Sequence, residues 1–292
     1  MAEQFFIQPK TYDTTNPYKA TIKSNERITP PEARDEVREI VLDVPASFVY
    51  VEGQSIGVLA PPPYEFGNDQ HMRLYSIAST RKGERGHGEE VAICVQRCFY
   101  IDSVSGERYP GKCSNYLCDL RAGDEISITG PYGRHFIVPR DNRANILMVA
   151  TGTGIAPFRA FIKHIFEEED AWQGKVRLFF GAKTDLDLLY MNDIKDDISH
   201  HYLKETFKAI EALSPRPAFD EPEGLAQKLE ENATDVWDLL QHPKTHVYVA
   251  GMRQASESLD TALTHIAGSE NAWLRKKREL FLEGRWAEHL YD

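Results

Sequence analysis

A buried-strand pattern followed by glycines and a helical pattern constrains this chain most. Residues 145–159 are NILMVATGTGIAPFR, in which residues 146–150 form an apolar run with the length of a strand buried on both faces. Two glycines, Gly152 and Gly154, end the run, and Pro157 suits the first turn of a helix because its missing N–H has no helical partner there. Strand, glycine turn and helix in this order predict a phosphate site, since glycine backbone and helix N–H groups can approach a pyrophosphate. An ordinary turn of an α/β sheet is the alternative, and the motif alone does not decide between them.

The hydrophobic pattern changes near residue 140 and indicates two domains. Residues 18–132 contain short alternating apolar runs separated by turn residues, which is typical of an antiparallel barrel or sandwich. After residue 140, apolar strands alternate with amphipathic helices, including a helix over LLYMNDIKDDI (188–198), which indicates βαβ units and a parallel sheet. We therefore predict an antiparallel barrel or sandwich domain with an N-terminal arm in residues 1–140 and an α/β domain in residues 141–292. Residues 81–88, RKGERGHG, are expected to form a polar hairpin turn without a function.

Charge and composition exclude several classes of function. The chain has 292 residues and a formal net charge of −11, which disfavours nucleic acid and anionic membrane as partners because both prefer basic surfaces. The acidic run 167–170 is expected to be solvated surface rather than a site. Four cysteines without a metal-ligand spacing, apart from the Cys94/Cys98 pair on an apolar run, predict reduced thiols, a cytoplasmic location and no metal site. The start of the chain predicts neither export nor membrane insertion, and the oligomeric state is not predicted.

Two stretches of the first domain carry candidate binding residues. RLYSIAS (73–79) alternates as a strand, which places Arg73 and Tyr75 on one side and Ser76 on the other. A guanidinium and an aromatic ring on one side suit a pyrophosphate and a flat ring, although such residues are more often plain cross-strand neighbours. GKCSNYL (111–117) predicts a glycine turn followed by a helix N-terminus, with Ser114 as its N-cap, where N–H groups could hold a second phosphate.

Six motifs in order indicate a family. RLYSIAS, CVQRCFY, GKCSNYLCDL, ITGPYG, GTGIAPFR and VYVAGM together resemble the plant-type ferredoxin-NADP reductases and their bacterial relatives. The resemblance extends over residues 18–292. It implies an antiparallel FAD-binding barrel followed by an α/β domain that binds NADP or NAD, in a flavoenzyme that passes hydride between nicotinamide C4 and flavin N5. It also implies a ferredoxin or a flavodoxin-like protein as the electron carrier.

The resemblance assigns residues to both cofactors by matching position. For FAD, the resemblance places Arg73 on the pyrophosphate, Tyr75 on the isoalloxazine ring and Ser76 near N5. It places Tyr100 on the adenine, and it implies a second phosphate loop that consists of Lys112, Cys113, Ser114 and Asn115. The residues assigned to the pyridine nucleotide are Thr153, Gly154 and Pro157 in the pyrophosphate turn, Gly251 beside the nicotinamide, and Ser214 and Arg216 at the 2'-phosphate.

The chain departs from the family at two places near the reacting rings. Members of the family usually have a cysteine directly before the glycine that corresponds to Gly251, where this chain has Ala250. They usually end in a tyrosine that covers the flavin, preceded by a glutamate. Counting from the tryptophan of GRWAEHLYD puts Tyr291 at the tyrosine and His289 at the glutamate, with Glu288 one position early, so all three remain candidate catalytic residues.

The residues expected around the 2'-phosphate match the family only in part. Leu225 stands where NADP-preferring members have a tyrosine, and Asp220, Glu221 and Glu223 are acidic neighbours. Carboxylates repel a phosphate but accept a hydrogen bond from a ribose hydroxyl. We therefore expect a weakened preference for NADP, shifted toward NADH.

The sequence is compatible with two other functions. Ala250 and the altered tail are compatible with a regulatory or electron-tuning subunit that keeps the fold and FAD but transfers little hydride. A nucleotide-binding module without FAD requires the barrel motifs to be accidental.

Overall fold

The first domain of the computed structural model is an antiparallel barrel. The structure describes residues 12–62, 71–84, 86, 88–102, 104–168, 172–203, 205–217 and 224–291. Six strands form the sheet in the order β4-β3-β8-β1-β2-β5, and the ends close through an Ile77–Ile93 bridge, beside which the Ala78 N–H donates to the Ala92 carbonyl at 2.8 Å. The strands are β1 (Tyr18–Arg27), β2 (Val37–Asp43), β3 (Ser55–Ala60), β4 (His71–Ser76), β5 (Glu90–Gln96) and β8 (Glu125–Tyr132).

A two-stranded ribbon leads into one helix that packs against this barrel. The ribbon consists of β6 (Phe99–Ile101) and β7 (Arg108–Pro110), and helix α1 (Lys112–Asp119) follows directly. Cys113, Leu117 and Cys118 of α1 are buried in the barrel core. The predicted run EVAICVQRCFY is thus two strands, because the chain turns between Gln96 and Phe99.

The second domain is a five-stranded parallel sheet with helices on both faces, as the alternating pattern predicts. Its order is β11-β10-β9-β12-β13, and β9 at the centre is buried along its whole length. One face of β9 packs with α2, while Leu147 and Val149 face the core formed with the later helices. The elements are β9 (Asn145–Thr151), α2 (Ile155–Lys163), β10 (Val176–Ala182), β11 (Phe207–Leu213), α3 (Leu225–Glu231), α4 (Ala233–Gln241), β12 (Thr245–Met252), α5 (Arg253–Ile266), α6 (Glu270–Leu282) and β13 (Trp286–Tyr291).

The helix expected over residues 188–198 is wrong. This segment consists of turns with an isolated bridge between Met191 and Asp196. Tyr190 has a φ of 60°, which lies outside the helical region, and its carbonyl accepts the N–H groups of Asp197 and Ile198. Most of its apolar residues, at 188–191 and 198, are buried in the core between the sheet and the barrel, whereas Ile194 is 51% exposed. Burial without helical periodicity produced the misleading pattern.

The two domains share one hydrophobic core. Ile28, Val41 and Phe136 of the barrel pack in the same cluster as Phe158 and Phe161 of α2. The boundary proposed after residue 140 falls between β8 and β9 and stays a prediction. Among the described residues, no helix combines the length and the apolar character that crossing a membrane requires.

A buried arginine joins the domains through hydrogen bonds. Arg159 of α2 is 1% exposed, and its guanidinium donates to Glu84 at 2.6 and 2.8 Å, to the Ala78 carbonyl at 2.9 Å and to Asp197 at 2.6 Å. Glu84 and Ala78 belong to the barrel, whereas Asp197 belongs to the second domain. The turn 81–88, which we expected to be an ordinary polar turn, therefore supplies a carboxylate that fixes the domain interface.

Replacement of Glu84 tests this ion pair. We expect Glu84→Gln to lower the free energy of unfolding by about 3 kcal/mol, because it leaves a buried guanidinium without its bidentate carboxylate. Urea denaturation measures the change. Asp141→Asn, which removes a partly exposed partner of Lys244, serves as the control and should leave the midpoint almost unchanged. Equal midpoints for both variants would contradict the role of Glu84.

The carboxylate of Glu84 makes the stability of the protein depend on pH in the acidic range. Burial alone would raise the pKa of Glu84, but the hydrogen bonds and charge of Arg159 outweigh it and hold that pKa at about 2, below its ordinary value of 4.5. A lowered pKa means that the contribution is complete above pH 4.5 and is lost as the pH falls toward 2. The wild type should lose stability more steeply over this interval than Glu84→Gln.

Candidate functional site

A cleft of about 1140 Å³ lies between the two domains. It exceeds the roughly 300–1,000 Å³ of most small-molecule sites, so it has room for more than one ring system. Most of the residues proposed from the sequence line it, but Asn115, Pro157, Ser214, Arg216 and Gly251 do not. The predicted residues that do are Arg73, Tyr75, Ser76, Tyr100, Lys112, Cys113, Ser114, Thr153, Gly154, Glu288, His289 and Tyr291.

Strand β4 contributes to the cleft from both of its faces. Arg73 and Leu74 are exposed, whereas Tyr75 is half-buried and packs against the barrel core. Burial raises the pKa of Tyr75 well above its ordinary value, and the nearby Cys113 thiol, its hydrogen-bond partner, raises it further, so the phenol stays protonated. The ring of Tyr75 is therefore held by α1, with Ser76 next to it at the end of the strand.

The start of α1 differs from the prediction. Its N-cap is Gly111, and Ser114 lies within the first turn. The Ser114 hydroxyl accepts from the Cys98 N–H at 3.2 Å and donates to the Gly111 carbonyl at 3.3 Å. Asn115 donates to the carbonyls of Cys98 and Gly111 at 2.8 and 2.9 Å. These two side chains fasten the turn before the ribbon to α1, and Lys112 and Cys113 line the cleft.

The ribbon carries exposed aromatic rings beside this helix start. Tyr100 is 57% exposed and stacks on Tyr109 with 5.6 Å between ring centroids. Arg108 lies 3.8 Å above the ring of Phe99. Tyr109 was missed from the sequence, because β7 is too short to show a pattern. Exposed rings next to helix N–H groups can take a planar base joined to a phosphate.

Gly154 and Gly251 are required by the packing of the protein's own residues, independently of any ligand. A Cβ on Gly154 would lie 2.2 Å from the Ala250 carbonyl oxygen, and one on Gly251 would lie 2.4 Å from the Thr151 hydroxyl. Gly251 also has a φ of 132°. Both glycines therefore let the ends of β9 and β12 meet, and this approach shapes the turn that leads into α2. Pro157 is in the first turn of α2, as predicted.

Alternation along β13 separates the two candidate acid–base residues. Glu288 borders the cleft, but its carboxylate accepts hydrogen bonds from the Trp286 indole at 2.8 Å and the Ser256 hydroxyl at 3.2 Å, on the opposite side of the strand from His289. His289 faces the barrel and stacks on Phe136, with ring centroids 4.1 Å apart. Tyr291 lies on the same side and hydrogen-bonds the Thr153 hydroxyl at 2.9 Å. The side chains that meet the glycine turn and the barrel are thus those of His289 and Tyr291.

The residues expected at the 2'-phosphate lie beyond the end of β11. Ser214 is 7% exposed and Arg216 is exposed. Leu225, which stands at the tyrosine position, is 1% exposed in the core of the second domain, so it presents no ring to a ligand. The acidic residues Asp220, Glu221 and Glu223 lie outside the described residues.

Comparisons with known proteins agree with this architecture. Residues 148–259 match the family described as Oxidoreductase NAD-binding domain. The ferredoxin–NADP reductase of Spirulina sp is 36% identical over 98% of this chain and 99% of its own length. The chain belongs to the ferredoxin–NADP reductase family.

Further relatives extend over nearly the whole chain. The chloroplastic leaf isozyme 1 of ferredoxin–NADP reductase from Arabidopsis thaliana is 35% identical over 94% of this chain and 78% of its own. The solved ferredoxin–NADP+ reductase of Plasmodium falciparum has the same fold, with a TM-score of 0.75, 21% identity and coverage of 96% of this chain and 98% of its own.

One residue of the site was not predicted from the sequence, because it lies just beyond the recognised ITGPYG motif. Phe136, four residues after the end of β8, is 2% exposed and contacts rings from three other elements, namely Phe158 and Phe161 of α2, Tyr248 of β12 and His289 of β13. It therefore supports His289 from the barrel side. No local signal marks such a residue, because all of its partners are distant in sequence.

Substitution of Gly154 tests the close approach of β9 and β12. We expect Gly154→Ala to destabilise the protein by about 3 kcal/mol, since its methyl group would overlap the Ala250 backbone. Gly268→Ala is the control for backbone strain without overlap. Its φ of 77° is unfavourable for alanine, unlike the φ of −61° at Gly154, but nothing lies within 4 Å of the new methyl group, so it should cost only about 1 kcal/mol. Thermal or urea unfolding compares them, and a smaller loss in Gly154→Ala would contradict the packing argument.

Proposed function

We propose that this chain is an FAD-dependent oxidoreductase of the ferredoxin–NADP reductase type, which moves electrons between NADP(H) and ferredoxin. One observation carries the proposal. The edge strand of the barrel, with Tyr75 and Ser76, and the last strand of the sheet, with His289 and Tyr291, face one cleft that also contains the glycine turn. The proposal is supported by full-length relatives that carry the reductase name.

The residues on the barrel side suit FAD. Arg73 and Lys112 bring positive charge to a cleft whose aromatic rings, Tyr75, Tyr100 and Tyr109, suit a flavin and an adenine. When bound, FAD supplies a ring that accepts two electrons from the coenzyme and can pass them on singly. Arg73 and Lys112 hold the phosphates, Tyr75 orients the flavin ring, and Ser76 offers a hydroxyl beside it.

The residues on the second-domain side suit the coenzyme. The turn at Thr153 and Gly154 leads into the N-terminus of α2, where partial positive charge favours a pyrophosphate. Tyr291 hydrogen-bonds the Thr153 hydroxyl and donates to the Thr151 carbonyl at 3.3 Å, so its ring covers this turn. For the coenzyme to reach this turn, Tyr291 has to move aside.

Anaerobic stopped-flow reduction of the FAD-loaded protein tests the function. NADPH and NADH are mixed separately over a concentration series, and rapid loss of flavin absorbance is expected. Because Leu225 is buried and offers no ring to the adenine side, we expect only a modest preference for NADPH. A ratio of kcat/KM above about a hundredfold, or 2.7 kcal/mol, would contradict this expectation.

The same experiment separates the alternative. A regulatory or electron-tuning subunit would bind FAD but remain oxidised with both coenzymes. No finding favours that alternative. Reduction of added ferredoxin by the NADPH-reduced protein would confirm the partner, and failure with ferredoxin but not with a flavodoxin-like carrier would reassign it. A cytoplasmic location stays a prediction, consistent with four free thiols.

Ser76 is tested by removing its hydroxyl. We expect Ser76→Ala to slow flavin reduction at least tenfold while FAD affinity stays nearly constant, because the hydroxyl acts at the reacting ring rather than on the phosphates. Ser127→Ala in β8, a serine of the same barrel outside the cleft-lining residues, is the control and should react as the wild type does. An unchanged reduction rate in Ser76→Ala would remove this residue from the catalytic set.

A further inference from the structure

Three potential metal ligands meet at a place outside the cleft. Glu167 lies on the π-helical turn His164–Glu168 that continues α2, and His200 and His201 lie on a short 3₁₀ turn, Ser199–Leu203, that precedes β11. The Glu167 Oε1 atom is 3.4 Å from the His201 Nε2 atom and 3.9 Å from the His200 Nε2 atom. The three ligand atoms all lie within 4.8 Å of one another.

The histidine at the centre of this cluster is buried without a hydrogen bond. His201 is 5% exposed, and its ring packs against Phe166 with 5.6 Å between centroids. Within the described part of the chain, its Nε2 atom has no hydrogen-bond partner, despite the nearby carboxylate. Buried polar atoms are nearly always satisfied by protein, water or an ion, so this nitrogen, aimed at Glu167 and His200, indicates a missing ligand.

We propose that Glu167, His200 and His201 bind one divalent ion of the zinc type. The ion takes a carboxylate oxygen and the two Nε2 atoms, and water completes a tetrahedron. Imidazole nitrogens suit zinc and its transition-metal neighbours, whereas magnesium and calcium prefer oxygen ligands alone.

The spacing of the ligand atoms suits such an ion. Bonds of about 2.05 Å in a tetrahedron place ligand atoms about 3.3 Å apart. The Glu167–His201 distance of 3.4 Å already satisfies this. His200 is farther away, at 3.9 Å from Glu167 and within 4.8 Å of His201, so it must move closer to both. Its exposed side chain, like that of Glu167, is free of core packing that would oppose such a shift. The buried ring is thus the fixed ligand and the two exposed ones close on it.

The site would link two segments that are distant in sequence. The end of α2 and the segment before β11 lie at the N-terminal end of the parallel strands. The glycine turn lies at their other end, and α2 runs away from it. An ion there acts on the stability of this edge and takes no part in electron transfer. Cysteine spacing predicted no metal site, and the acidic run that contains Glu167 was expected to be solvated surface.

Zinc binding to tag-free protein tests the proposal. FAD-loaded protein in a Cys98→Ser background, which removes an exposed competing thiol, is stripped with a chelator and titrated with Zn²⁺ by calorimetry. We expect one ion per chain, an increase in the unfolding temperature, and unchanged flavin reduction by NADPH. Absence of saturable zinc binding in this protein would overturn the proposal.

Variants identify the ligands. Glu167→Gln and His200→Ala are at exposed positions and should fold normally, so a loss of zinc affinity of tenfold or more in each supports the site. His201→Ala should abolish binding, but it also removes a buried ring. His265→Ala is the matched control, because His265 and Glu230 form another histidine–carboxylate pair, at 2.7 Å, to which the described residues add no third ligand. Wild-type affinity in Glu167→Gln and His200→Ala would refute the assignment.

Discussion

The placement of the two domains depends on the buried guanidinium of Arg159. A charge so far from water is tolerated only when every N–H group has an acceptor, and those acceptors come from the barrel as well as from the second domain. Helix α2 can be buried on all sides because of this arrangement. Its N-terminus is then presented, with the glycine turn, to the cleft that β4 borders from the other side. The cofactor cleft is therefore a product of how the domains are joined.

Much of the fold and many of the cleft residues could be predicted, because their signals are local. Alternation with a period of two marks the barrel strands, and the change after residue 140 marks the parallel sheet. Tyr75, Lys112 and Gly154 lie on a strand, a helix start and a turn that short motifs describe well. The interface could not be predicted in the same way, because Glu84 and Arg159 are far apart in sequence. One signal was present, since Arg159 is a lone charge in the apolar run IAPFRAFI.

The errors have identifiable physical causes. The apolar residues at the two ends of segment 188–198 fill the space between sheet and barrel, and burial in irregular structure has no period that distinguishes it from a helix. Ser114 has the side chain of an N-cap, but tertiary contacts with Cys98 start the helix earlier, at Gly111. The cluster around His201 combines segments that only the folded chain brings together, and no spacing rule reaches across them.

The pleat of β13 has a consequence for how this family can vary. Because side chains alternate along the strand, the carboxylate of Glu288 and the imidazole of His289 are assigned to opposite sides by position alone. Insertion or deletion of one residue between Trp286 and this pair would exchange their sides, so that a carboxylate would face the barrel and an imidazole the helices, without replacing either residue. A change of length can thus alter the acid–base chemistry of the site in a single evolutionary step, where substitution would require at least two.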